Sequence, residues 1–456
     1  MADLGAIPHE ASTFAKRIHE TRAWLAEALR ELRAAPSSES ASNVLSPFEH
    51  YRDTSSRLSL SAFEGDTPRD RGIRAHVAWL IQRRILFAHD VKVASLAKEP
   101  RGTLRLDRTE PISYEGAKRG LLTEAHPFRI QAYVDALASA SAEVDAQTRA
   151  RNEVRFEVAQ KLDLEAHDAS LPCSVTTNRE CARLFLDRTR ELARASRLAI
   201  DPSQGEARGT VVATFRTLAA NPEATRGFFP ARLNHAWLHD TFPTLATARI
   251  DPKSGHPNAR LWLRALSPAI FATSFGRALY GLGHALGASV EEPVLATISR
   301  GDAMYLHEAT VGCAFSALLV DATFCRKALG LTASDARVLT REVARTALVV
   351  ARLRAARVLA DTESLGDLAQ DVFGGDLPTG ARMALLGPTD EARRDFLAVL
   401  RSSALGTFLR NTFDEDWFRN PRTADFFLAA EPIVTTPEEL RDMASSLTRS
   451  LEDLVS

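Results

Sequence analysis

Two short segments carry side chains able to handle a metal ion or a proton: Tyr280-Gly281-Leu282-Gly283-His284 and, further on, His307-Glu308-Ala309. Around the first, Phe275, Leu279, Leu282 and Leu286 fall 4, 3 and 4 positions apart, the interval of a helix's buried stripe. Arg277, Tyr280, Gly281, His284 and Ala288 then share a different face of that helix. Two imidazoles at i and i+4 on such a face can hold one zinc ion, while a carboxylate between them polarises the attacking water. Here Tyr280 stands at the first imidazole position, Gly281 at the carboxylate position and His284 at the second imidazole position.

The register resembles F-H-E-F-G-H-A-L, the active helix of thimet-oligopeptidase-like zinc peptidases, with Gly283, His284, Ala285 and Leu286 retained. In the related angiotensin-converting-enzyme family the third zinc ligand is a Glu on the next helix, within an H-E-A sequence. His307-Glu308-Ala309 is similar, and the 23 residues between His284 and Glu308 match the spacing of that family. The resemblance is carried by residues 275–309. It implies an all-α, large multi-helix fold with two interleaved helical lobes and a cleft between them. The vestigial site would comprise Tyr280, Gly281, His284, His307 and Glu308, with Arg277 and Trp417 as candidate cleft residues.

The same residues argue against peptidase chemistry. A phenol with a pKa of about 10 is a poor substitute for a neutral imidazole, and Gly281 offers no base. Two protein ligands are too few for a catalytic zinc, which normally has three and a water. Beyond His307 the sequence contains neither His nor Tyr to stabilise a tetrahedral oxyanion. The expectation is therefore a catalytically inactive peptidase homologue, with no catalytic residue, metal or cofactor, that binds a peptide or protein partner. Two alternatives stay open. One is an enzyme of another class that uses Tyr280, His284 and Glu308 as acid/base groups on a small substrate. The other is a purely structural helical scaffold, in which Gly281 and Gly283 permit close helix packing.

Other candidates read more plainly. His235 and His239 sit at i and i+4 and could recruit a metal, but no Glu follows His235; a half-exposed helix with Trp237 and Leu238 inward is the simpler reading. The glycines of Gly281-x-Gly283-x-x-x-Gly287 follow no strand, which excludes a nucleotide loop. Glu415-Asp416-Trp417-Phe418-Arg419 reads as a packed turn, or as a partner-binding turn if its Trp and Arg are exposed.

Helices must position these groups. Thr177-Asn178-Arg179-Glu180 is a capping box for a helix running to about Leu198. Pro127 opens a long helix with a candidate kink at Ser139 to Ser141. Ser267-Pro268 and Gly287 bracket the helix of His284, and Gly301-Asp302 and Gly330 bracket that of Glu308. Thr332, Thr389 and Thr436 each open another helix, with acidic first turns. A first helix carries Phe14 to Leu32 and is followed by a linker from Pro36 to Ser40. Thr103 to Leu106 is the one strand candidate. The loop 201–209 divides an N-terminal helical cap half, 1–205, from a C-terminal core half, 206–456.

Composition sets the outer limits. The 456 residues are 45% apolar and 25% charged, an ordinary globular balance, and the net charge of −1 provides no field for a nucleic-acid backbone. The excess of Arg over Lys, with abundant Ala, reads as a GC-rich coding bias. No leader pattern or long apolar run is present, so a cytoplasmic location without membrane attachment is expected. Cys173, Cys181, Cys313 and Cys325 lack close pairing, and the last two read as buried thiols within apolar helix.

Overall fold

In the computed structural model the described residues are 88–105, 109–123, 127–161, 173–196, 235–243, 272–288, 302–375, 391–428 and 436–455, with isolated positions between them. The expected first helix and linker, the loop 201–209 and Ser267-Pro268 lie outside these residues. Among the described residues the architecture is helical, with one antiparallel strand pair.

Helical residues 88–98 lead into β1 (Pro100–Arg105), which pairs with β2 (Thr109–Ser113) in the register Thr103 to Pro111. The single expected strand is thus half of a hairpin. Pro111 hides β2 in the sequence, but a two-stranded ribbon leaves each strand an outer edge, where a missing N–H is tolerated. The chain continues into α1 (Tyr114–Thr123) and α2 (Pro127–Lys161). The latter is a continuous helix of 35 residues that passes through the expected kink. There the Ser139 hydroxyl donates to the carbonyl of Ala136 at 3.1 Å and that of Arg101 at 3.2 Å, tying α2 to β1.

The expected helix to Leu198 is two helices, α3 (Val175–Arg188) and α4 (Arg190–Ala195). Its cap is Ser174, three residues before Thr177, and the Ser174 hydroxyl accepts the Thr177 N–H at 3.1 Å. After α5 (His235–Thr241) and α6 (Ala272–Ala288), the helix of Glu308, α7 (Asp302–Ser316), ends earlier than Gly330. It passes through a 3₁₀ turn, Ala317–Val320, to α8 (Ala322–Lys327), whose first N–H groups are capped by Asp321. Gly287 does not terminate α6, which runs on to Ala288.

The rest of the chain comprises α9 (Ala333–Leu359), α10 (Leu365–Phe373), α11 (Ala392–Phe413), a 3₁₀ turn Trp417–Arg419, α12 (Thr423–Leu428) and α13 (Pro437–Val455). The starts at Thr332 and Thr436 are as the sequence indicates. Thr332 accepts the Asp335 N–H at 3.1 Å. Thr436 and Glu439 form a reciprocal capping box, each side chain taking the other's backbone N–H, at 3.2 and 2.7 Å. The start near Thr389 falls at Ala392, with no side-chain cap bond.

Helix α9 is the axis of the larger core. It packs against α3, α11 and α13, so Cys181, Phe185 and Leu186 share one apolar cluster with Leu348, Phe396, Leu440 and Leu451. Elements on both sides of residue 205 contribute to it. A second cluster is aromatic: Phe242, Phe275, Phe315, Phe324, Trp417, Phe418 and Phe427 enclose the outer face of α6 and α7. No described helix is long and apolar enough to cross a membrane.

Candidate functional site

The site is built on the close antiparallel contact of α6 and α7. Phe275, Leu279, Leu282 and Leu286 are buried, as their spacing requires, and Arg277 is exposed on the opposite side. What brings the backbones together is a ladder of small residues. A Cβ on Gly283 would lie 2.6 Å from the Val311 carbonyl oxygen, one on Gly287 3.0 Å from the Glu308 Cα, and one on Gly312 3.0 Å from the Tyr280 carbonyl oxygen. Gly283 and Gly287 thus face α7, and Gly312 faces α6, at heights set by the antiparallel run.

This contact places His284 against Glu308. The His284 Nε2 is 3.6 Å from the Glu308 Oε2, too long for a strong hydrogen bond but within reach of an ion pair when the imidazole is protonated. Glu308 is buried, with 6% exposure, while His284 is half-buried. One turn before His284, the Tyr280 ring lies 5.8 Å from the imidazole at an interplanar angle of 46°. His284 therefore neighbours both Tyr280 and Glu308. His307 is partly buried on the same helix as Glu308, and Gly281 is partly buried on α6.

Burial pushes the Tyr280 phenol well above its ordinary range, with Cys313 and Asp395 adding to the shift and Arg354 and Arg394 opposing it. The phenol is thus a neutral donor at ordinary pH, ill suited to a metal. Among the described residues no group of three His, Cys, Asp or Glu side chains converges to hold a metal ion.

The other candidates are placed differently. Trp417 is only 2% exposed, and its ring meets Phe315 edge-on at a centroid distance of 5.5 Å. It presents no aromatic face to a cleft, and the turn Trp417–Arg419 is a packed one. Lys327 and Arg419 tie that turn to α8, through Asp416 at 2.8 Å and the Lys327 carbonyl at 2.6 Å. Trp237 and Leu238 do face inward from α5, Trp237 meeting Phe275 at 5.8 Å. The side chains of His235 and His239 lie outside the described residues.

Sequence reasoning missed a group next to this site. The Arg354 Nη1 donates to the Cys313 Sγ at 3.3 Å, so α9 delivers a guanidinium to α7 within the electrostatic reach of Tyr280. The signal was an arginine within the apolar run of α9, where Arg352, Arg354 and Arg357 interrupt Leu348, Leu353 and Val358. A coding bias explains the number of arginines but not the burial of Arg352 at 0% and Arg401 at 7%.

Compared with known proteins, the sequence matches no protein-family model and no curated protein.

Proposed function

We propose that this chain is a zinc-peptidase-like helical scaffold with two interleaved lobes that has lost the chemistry and acts by binding a peptide or protein. The observation carrying this reading is the approach of His284 to Glu308, at 3.6 Å between neighbouring helices. The resemblance requires these two residues to be partners, although 23 residues separate them. A phenol at position 280 and a glycine at 281 then account for a site that keeps its framework without a water-activating metal. A cytoplasmic setting suits the four cysteines, none of which is in a disulfide.

A purely structural protein is the second reading, and the glycine ladder between α6 and α7 favours it, because close packing alone gives Gly283 and Gly287 a role. The two readings part on one experiment. The double substitution Tyr280→His with Gly281→Glu rebuilds the metal-binding register opposite Glu308. On the peptidase-like reading, zinc titration shows a sharp gain in affinity over the parent, while cleavage of a mixed peptide library stays weak for want of oxyanion donors. A variant that folds normally and gains no zinc affinity leaves the structural reading in place.

A further inference from the structure

The polar strip does not end at Tyr280. It continues through Cys313 to Arg354 on α9, and Arg357 follows one turn later on the same helix. Arg354 and Arg357 are half-buried. Among the described residues no carboxylate comes within ion-pair distance of either guanidinium. The Arg354 Nη1 donates to the Cys313 thiol, and the Arg357 Nε donates to the Leu385 carbonyl at 2.7 Å. Asp395, the acid common to both electrostatic environments, has its Oδ1 3.6 Å from the Arg394 Nη2. Burial works against the Arg357 charge, Asp395 and Glu391 support it, and Arg354 repels it.

Two half-buried guanidiniums one turn apart, neither bound to a carboxylate and each using one nitrogen for a protein acceptor, keep further N–H groups for an anion. Guanidinium forks match carboxylates in geometry, and desolvation strengthens such charge-assisted bonds. We infer that Arg354 and Arg357, with the Tyr280 hydroxyl, form a carboxylate-binding subsite adjoining His284 and Glu308. The buried Glu308 carboxylate nearby penalises a phosphate dianion more than a singly charged carboxylate. The carboxylate belongs either to a peptide or to a small free acid. The peptide case rests on the binding function proposed above; the free-acid case does not.

The test is binding by the full chain, read by calorimetry at constant ionic strength with acetate, inorganic phosphate and N-acetyl-dialanine as free acid and as amide. The free acid is expected to bind about tenfold or more tighter than the amide, the scale of one charge-assisted contact. Arg354→Gln is expected to remove that preference and Arg354→Lys to restore part of it, with circular dichroism confirming the fold. Arg357→Gln, one turn away, provides an independent variant should Arg354→Gln fail to fold. Equal binding of acid and amide overturns the subsite and leaves the peptide-binding reading intact. Binding of acetate over phosphate, lost in Arg354→Gln while neither peptide binds, keeps the subsite and removes the peptide reading. A parent protein that prefers no carboxylate, or a folded Arg354→Gln that keeps the preference, overturns the inference without further variants.

Discussion

The Val311 carbonyl oxygen comes so near Gly283 that a Cβ there would lie 2.6 Å from it, with the Phe315 Cβ at 2.9 Å. Neither obstacle can yield easily, since one is helix backbone and the other the root of a buried ring.

Gly283→Ala is accordingly expected to destabilise the protein by about 1–3 kcal/mol through overpacking, even though alanine favours helix by up to about 1 kcal/mol. Gly406 in α11 is the internal control, because nothing lies within 4 Å of the point where a Cβ on it would stand. Gly406→Ala should stabilise by about 0.5–1 kcal/mol. Urea denaturation of both variants decides; a stabilised Gly283→Ala would mean that α6 and α7 do not touch.

The rebuilt zinc site provides a second check on Glu308. In the background of Tyr280→His with Gly281→Glu, Glu308→Ala should weaken zinc binding by about tenfold or more, since it removes one of three ligands at roughly 1.4 kcal/mol per decade. Zinc affinity unchanged by Glu308→Ala would detach this residue from the metal position.

Asp145 offers a pH test. It is 2% exposed in α2, and burial raises its carboxyl to about 6 despite the pull of Arg149. With the folded value above the unfolded one of 3.8, folding favours the protonated form. The stabilisation is complete below about pH 4 and is lost as pH rises to about 6, then stays flat. Asp145→Asn should remove that contribution to the slope and lie above the parent by about 1–3 kcal/mol at pH 7–8. Parallel stability curves for parent and variant between pH 4 and 7 would contradict it.

Arg352 is fully buried and serves as a bracket: Nη1 donates to the Leu186 carbonyl at 2.6 Å and to the Thr189 hydroxyl, and Nη2 donates to the Asp371 carbonyl at 2.6 Å. Arg352→Ala strands these acceptors and leaves a large void, at a cost of about 3–5 kcal/mol. Arg352→Lys should recover little, because one ammonium cannot span α3 and α10 together. Loss of amide protection at the α3 C-terminus, read by hydrogen exchange, is the expected signature.

Local signals were legible where a single side chain settles the backbone. Thr332 and Thr436 cap their helices because hydroxyl and acid stand three residues apart. Ser174 was obscured by Thr177, an equally plausible cap by residue type, and the extended backbone at Ser174 (φ −66°, ψ 161°) is what makes it the cap. The helical stripe from Phe275 to Leu286 was readable from spacing, and so was the shared face of Tyr280 and His284. The contribution of α9 was not: Arg354 meets Cys313 across 41 residues, and no local pattern reports which face of α9 turns toward α7. For Trp417 the sequence favoured a packed turn and left an exposed anchor as the alternative, and the tertiary cluster places the ring in the core.

The cluster around α9 also sets an order of events during synthesis. Leu186 and Phe185 of α3 leave the ribosome long before Leu440 and Leu451 of α13, which complete the same apolar surface. Until α13 emerges, that surface has no permanent cover, and a paused chain presents it to other nascent chains or to a chaperone. Ribosome-bound chains stalled before residue 437 should therefore be held by holdases and cut readily by protease. Complete chains held on the ribosome by an added C-terminal linker long enough to clear the exit tunnel should resist both.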